Sequence, residues 1–340
     1  MSAQELEQTA KAMVAKGKGI LAIDESFPSI KKRFDSINIE STEENRRAYR
    51  DLLITNTAGK DFISGMILFD ETIRQSTSDG TPFPKALLDQ GIMPGIKVDT
   101  GAKDMAGFPG EKVTEGLDGL RERLTEYKEL GARFAKWRAV ITIGDGLPTR
   151  GNLEANAHAL ARYAALCQEA GIVPMVEPEV LMDADNTIDT CFDVTRETLK
   201  TLFNELYRQN VTMEHTILKT NMVVSGKQCS VQAGVQEVAD KTVQCLLDSV
   251  PATIPGIVFL SGGQSSEDAT AHLNAMNATY KNMPWPVSFS YGRALQADAL
   301  KTWGGSADNV DAAKKVLTHR EKCNSLACSG EYSSDMESAA

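Results

Sequence analysis

Eight short, almost continuously apolar runs recur along this chain, at residues 19–24, 62–69, 94–99, 133–140, 173–180, 215–219, 256–261 and 286–290. Runs of that length, with little strict alternation of apolar and polar residues, suit strands covered on both faces, as in a parallel sheet. Helical patterns lie between them. Leu117, Leu120, Leu124 and Tyr127 recur at helical spacing before Gly131, and Leu153, Ala157, Leu160, Ala161 and Ala164 do so before Gly171. Leu199, Leu202, Phe203 and Leu206 form a third stripe, and Val235, Val238, Cys245 and Leu246 a fourth. A further helix is expected over 45–53, opened by Ser41-Thr-Glu-Glu44 as a capping box. Strands alternating with helices over 340 residues predict an α/β fold, a (β/α)8 TIM barrel.

A doubly wound sheet would need a glycine fingerprint just after the first strand. Gly17-Lys-Gly19 comes before that strand and lacks the third glycine. Ser225-Gly-Lys-Gln228 carries the Gly-Lys pair of a phosphate loop without its preceding glycine or its following Ser/Thr. The expected organisation is one barrel domain over 1–330 with helical extensions at both ends. Residues 331–340, rich in Ser, Ala and Glu, are expected to form a flexible tail.

The net charge of −10, with no basic run, argues against a nucleic-acid partner. No apolar run approaches membrane-spanning length, so no membrane association is expected. Met1 opens directly onto an amphipathic helix over 4–14, without a signal core or transit peptide. Six scattered cysteines without a CxxC pair read as reduced thiols. The expected location is cytoplasmic, or the plastid stroma after processing.

In a barrel, functional groups come from the C-terminal ends of the strands and the loops beyond. Those ends carry charge here with unusual regularity. The first run ends in Asp24-Glu25-Ser26, and the third carries Lys97 and Asp99. The fourth carries Lys136 and Arg138, the fifth Glu177 and Glu179, and the sixth Lys219. The seventh ends in Ser261-Gly-Gly263, and the eighth reaches Ser288, Ser290 and Arg293. Side chains two apart on a strand share a face, so these groups converge on one pocket. Buried charge is costly unless it is used.

Lys219 stands inside an apolar run, where burial and a neighbouring Lys136 both disfavour its ammonium form. A neutral amine there can attack a ketone and lead to an iminium ion, an electron sink that permits cleavage of the C–C bond beta to the former carbonyl. Glu177 is suited to protonate the departing hydroxyl, and Asp24 and Glu177 are both candidates for the base that cleavage needs. The Ser261-Gly262-Gly263 turn with Arg293 reads as one phosphate site. Arg33 and Lys32, with Lys97 and Arg138, read as a second.

These residues carry a family resemblance. Gly19-Ile-Leu-Ala-Ile-Asp-Glu-Ser26, Gly95-Ile-Lys-Val-Asp99, Phe134-Ala-Lys-Trp-Arg138, Val176-Glu-Pro-Glu179, Phe259-Leu-Ser-Gly-Gly-Gln264 and Ser288-Phe-Ser-Tyr-Gly-Arg-Ala-Leu-Gln296 resemble class I fructose-bisphosphate aldolases, in order and over most of the chain. The resemblance implies metal-independent, reversible cleavage of fructose 1,6-bisphosphate to dihydroxyacetone phosphate and glyceraldehyde 3-phosphate, as in glycolysis, gluconeogenesis or the Calvin cycle. It implies no cofactor beyond a covalent Schiff base at Lys219, and no metal. Glu177 matches the general acid/base, Asp24 the carboxylate at the C–C bond, Lys136 the assisting lysine and Glu179 the second glutamate. Ser261, Gly262, Gly263, Ser290 and Arg293 fall on the ketone-side phosphate site. Arg33, Ser26, Ser29, Lys97 and Arg138 fall around the other. A homotetramer is implied as well.

Three positions depart from the family pattern. Thr220 stands where a proline usually follows the lysine, which predicts a less rigid turn. Phe27-Pro28 occupies a loop that is usually small or polar. The chain ends Ser338-Ala-Ala340, with its last tyrosine at Tyr332, where many members end in a tyrosine. Proton exchange assisted by such a tail is therefore expected to be missing or done differently.

Overall fold

The computed structural model describes residues 2–339; Met1 and Ala340, where the sequence reading began and ended, lie outside the described residues. Ten strands form: β1 (Gly19–Ile23), β2 (Ile63–Leu68), β3 (Met93–Lys97), β4 (Gly101–Asp104), β5 (Lys112–Glu115), β6 (Phe134–Ile141), β7 (Val173–Val180), β8 (Ile217–Thr220), β9 (Ile257–Phe259) and β10 (Val287–Tyr291). Eight of them close into a parallel barrel in the order β1-β10-β9-β8-β7-β6-β3-β2. They coincide with the eight apolar runs. The β4–β5 pair is a separate antiparallel hairpin that the sequence reading did not foresee. Its strands are only four residues long and mostly polar, so they carry neither a long apolar run nor a buried face.

Inside the barrel the apolar layer is made by Ile20, Ala22, Ile67, Phe134, Val173, Met175, Ile217 and Val258. The Phe134 ring needs room that only glycine leaves: a Cβ on Gly95 would stand 2.2 Å from it. The helix Ala3–Met13 adds Leu6, Ala10 and Met13 to that same cluster, followed by Val14. It is fastened where Ser64 Oγ donates to both Met13 O (2.6 Å) and Gly19 O (3.0 Å). The amphipathic N-terminal helix thus closes the barrel floor at the N-terminal ends of the strands. A capping box between Ser2 and Glu5 starts it.

Outward-facing strand residues pack under a shell of helices in a larger cluster. The helix expected over 45–53 runs Glu43–Ile54, but its cap is Thr42, whose side chain accepts from Asn45 N. Asn45, not a glutamate, therefore holds the third helical position, and it donates to Glu40 O instead of closing a capping box. His215, read as the start of a strand, sits in the short 3-10 helix Met213–His215 before β8. The long helix Val310–Ala327 covers the helices Arg293–Trp303, Ser266–Thr279 and Glu43–Ile54. Beyond it, Tyr332 and Glu337 bond to each other (2.7 Å), and Arg320 pairs with Glu337.

Candidate active site

The register of the barrel sets which charges meet. Lys97 of β3 lies beside Lys136 of β6, and Arg138 of β6 lies beside Glu177 of β7. Val176 pairs with Leu218, so Glu177 and Lys219 follow on neighbouring strands. Above the apolar layer the barrel therefore carries four cations and four carboxylates, joined in pairs. Lys97 meets Asp99 (2.6 Å), Arg138 meets Glu179 (2.5 Å), Lys136 meets Asp24 (2.7 Å), and Glu177 reaches both Lys136 (3.3 Å) and Lys219 (3.2 Å). Lys219 is only 4% exposed. It does not reach out to solvent as a surface lysine would.

Glu177 is the junction. Its two oxygens face two different lysines. Burial alone would push the carboxyls of Glu177 and Asp24 up, but Lys136 and Lys219 outweigh it. Asp24 is held down to about 2, and Glu177 below the usual carboxylate range. Burial would likewise lower Lys136, yet Asp24, Glu177 and Asp99 hold its ammonium well above the usual lysine range. Lys136 is thus a fixed cation at neutral pH.

These groups open into a cavity of about 1360 Å³ at the barrel mouth. All fifteen sequence-predicted residues line it: Asp24, Ser26, Ser29, Arg33, Lys97, Lys136, Arg138, Glu177, Glu179, Lys219, Ser261, Gly262, Gly263, Ser290 and Arg293. Ser288 does not. Its hydroxyl donates to Lys18 O (2.7 Å) and lies 3.3 Å from Cys328 Sγ. Ser290 is 1% exposed, and its hydroxyl has no hydrogen-bond partner among the described residues. A buried hydroxyl of that kind is costly until something bonds to it.

Gly262 and Gly263 both take positive φ, +62° and +124°. This is the left-handed region that glycine enters without strain. The next helix starts beyond the cavity lining, capped by the Ser265 hydroxyl on Asp268 N (2.9 Å). The glycine turn, Arg293 and Ser290 therefore line the cavity, and the helix start does not. Ser26 and Ser29 face each other (3.3 Å) across the first turn of the helix Phe27–Asp35, where Pro28 is tolerated because that turn needs no donor. Phe27 packs edge-on against Phe69, with the Arg46 guanidinium over its ring at 4.8 Å.

Arg33 stands near Gly292, on the β10 side of the mouth, and pairs with Glu25. Glu25 also pairs with Arg50 (2.7 Å) and accepts from Gln296 Nε2 (3.1 Å), which Tyr49 steadies through its hydroxyl (3.0 Å). Sequence reasoning missed this buried support because Arg50 and Gln296 come from distant helices. It also missed Lys103 and Lys112, which the β4–β5 hairpin brings to the cavity. The clustered turn residues Gly107, Pro109 and Gly110 were the available signal. Thr220 does not open a turn after Lys219. It continues β8, fully buried beside Phe259 of β9, and the following Asn221 is clasped by Val180 N (3.0 Å).

The fructose-bisphosphate aldolase class-I family model matches residues 5–340. The chain belongs to the class-I fructose-bisphosphate aldolases. A probable class 1 fructose-bisphosphate aldolase of Xanthomonas campestris pv. campestris is 62% identical over 333 residues, spanning 98% of this chain and 99% of that protein. A fructose-bisphosphate aldolase of Dictyostelium discoideum is 51% identical over 336 residues, spanning 98% of this chain and 94% of that protein. A fructose-bisphosphate aldolase of Plasmodium falciparum, solved with TRAP and a small-molecule inhibitor, superposes with a TM-score of 0.96 at 48% identity. That match covers 97% of this chain and 96% of the solved one. Outside the cavity of this aldolase-family barrel, His319, Cys323 and Glu337 form the one described group of three possible metal ligands within 4.8 Å of one another. Both Glu337 oxygens there are already taken, by Arg320 and by Tyr332.

Proposed function

We propose that this aldolase cleaves fructose 1,6-bisphosphate reversibly into dihydroxyacetone phosphate and glyceraldehyde 3-phosphate through a Schiff base at Lys219. The observation that carries the mechanism is the Glu177 carboxylate held between Lys219 (3.2 Å) and Lys136 (3.3 Å). Glu177, ionised and in contact with Lys219, takes a proton from the ammonium and so frees the amine. Nitrogen then adds to the substrate ketone, and Glu177 returns the proton to the departing hydroxyl as water leaves. The resulting iminium draws in the electrons of the breaking C–C bond. Asp24 takes the proton from the substrate hydroxyl at that bond, and Lys136, paired with it at 2.7 Å, keeps it ionised beforehand. The aldehyde leaves, the enamine is reprotonated, and water releases the ketone phosphate.

Ser261, Gly262, Gly263, Ser290 and Arg293 hold the ketone-side phosphate in this reading. Arg33, Ser26, Ser29, Lys97 and Arg138 serve the other phosphate, with Glu179 holding Arg138 in place. Neither a metal nor a cofactor takes part, and activity is expected to survive EDTA. A homotetramer, common in the family, is the proposed assembly. A cytoplasmic location agrees with a relative named as cytosolic in Arabidopsis thaliana. No helix among the described residues is long and apolar enough to cross a membrane.

Borohydride reduction in the presence of dihydroxyacetone phosphate, followed by peptide mapping, tests the central step. A single adduct on Lys219, absent from Lys219→Ala, is expected. An adduct on another lysine, or wild-type turnover by Lys219→Ala, would sink the mechanism.

A further inference from the structure

The Gly226-Lys227 pair, which is no nucleotide loop, has a place beside the phosphate turn. Two coil segments, one after β7 and one after β8, are zipped by backbone bonds from Gly226 N to Asn186 O (2.8 Å), Lys227 N to Met182 O (2.8 Å) and Gln228 N to Ala184 O (3.0 Å). Only glycine permits this approach, since a Cβ at 226 would stand 2.2 Å from Ala184 O. The zipper fixes the backbone of Lys227, and the side chain reaches over Gly263. A Cβ on Gly263 would fall 2.4 Å from Lys227 Nζ and 3.2 Å from an Arg293 terminal nitrogen.

Two cations therefore flank one glycine of the turn. Like charges so placed repel unless an anion lies between them. Meanwhile the Lys227 ammonium is drawn off the cavity lining by Asp183, at 2.6 Å. That pair is 38% and 61% exposed, and exposed pairs hold weakly enough to exchange. We propose that Lys227 is a further phosphate-binding residue: it leaves Asp183 and joins Arg293 on the ketone-side phosphate, selecting phosphorylated ketones over unphosphorylated ones. The proposal rests on the ketone-side phosphate reading given above.

The test compares Lys227→Met, Lys227→Arg, Asp183→Asn and Arg293→Ala by dihydroxyacetone phosphate affinity and steady-state kinetics at low and high salt. Loss of one charge-assisted contact should weaken the affinity of Lys227→Met about tenfold and raise KM, with kcat changed by less than about twofold. Lys227→Arg should restore most of the affinity. Asp183→Asn should bind as tightly as wild type or tighter, and borohydride should still trap saturated Lys227→Met at Lys219. If Lys227→Met binds normally while Arg293→Ala is weakened, Lys227 is no ligand and the phosphate site stands without it. If Asp183→Asn weakens binding as much as Lys227→Met, the pair only braces the loop, which also overturns the proposal. If neither Lys227→Met nor Arg293→Ala changes the affinity, the phosphate reading itself fails, and the proposal with it.

Discussion

Glu177 has one carboxylate and two buried lysines to serve. Replacing it with glutamine keeps the shape and removes the charge, leaving Lys219 and Lys136 to face a neutral amide. Removing a general acid/base group of this kind should lower kcat by about a hundredfold to ten-thousandfold, with a much smaller change in KM. Steady-state assay of Glu177→Gln checks it, and unaltered kcat would remove Glu177 from the proton path. A different carboxyl answers to a different rule. Glu321 is fully buried in the helix Val310–Ala327, bonded to Asn56 at 3.2 Å, and burial pushes it up to about 8. Because its folded pKa is raised, its stabilising contribution is complete below the unfolded carboxylate range and is lost progressively as pH rises toward 8. Wild type should therefore lose several kcal/mol between about pH 4.5 and 8 from this group. Glu321→Gln should gain on wild type across that window when unfolding is followed by urea titration. A difference that does not vary with pH would contradict it.

At the scale of elements, the helix Ala3–Met13 behaves as part of the barrel interior rather than as an appendage. Leu6→Ala should cost about 2–4 kcal/mol, a core-sized loss, where a surface helix would lose little. Denaturant titration decides between the two. The eight barrel strands were legible because both faces of a parallel strand are covered and the apolar run is nearly unbroken. The floor-closing role of the helix was not, because an amphipathic stripe states that one side is covered and not what covers it. The same limit hid the β4–β5 hairpin. Its short strands are held from outside, by Asn156 on Thr114 N (3.2 Å) and Thr114 on Arg138 O (2.8 Å). Paired residues two apart, such as Lys136 with Arg138 and Glu177 with Glu179, were readable from spacing alone, since a strand gives them one direction. Lys227 was not readable, because its position depends on two loops meeting.

For the molecule as a whole, the net charge of −10 repels an anionic substrate, while the mouth gathers Lys32, Arg33, Lys97, Lys103, Lys112 and Arg293. Cations outnumber carboxylates along that lining, and such a local excess of charge draws an anion in. KM for the bisphosphate should therefore rise as ionic strength is raised from about 20 to about 300 mM, because screening shortens the reach of the mouth more than it relieves the distant surface. A falling KM would mean that the global charge dominates. The acid limit of the fold follows from the same interior. Asp24, held down to about 2, and Glu25 and Glu177, both lowered, stabilise the fold above the ordinary carboxylate range and lose that contribution as pH falls toward 2.

The closed floor also fixes the traffic. With the far end stoppered by Leu6, Ala10 and Met13, the barrel is a cul-de-sac, and substrate, water and both products share one doorway. If one half of the sugar is tethered to Lys219, as proposed, the other half has to depart past it. Any molecule lodged in that doorway blocks arrival and departure alike.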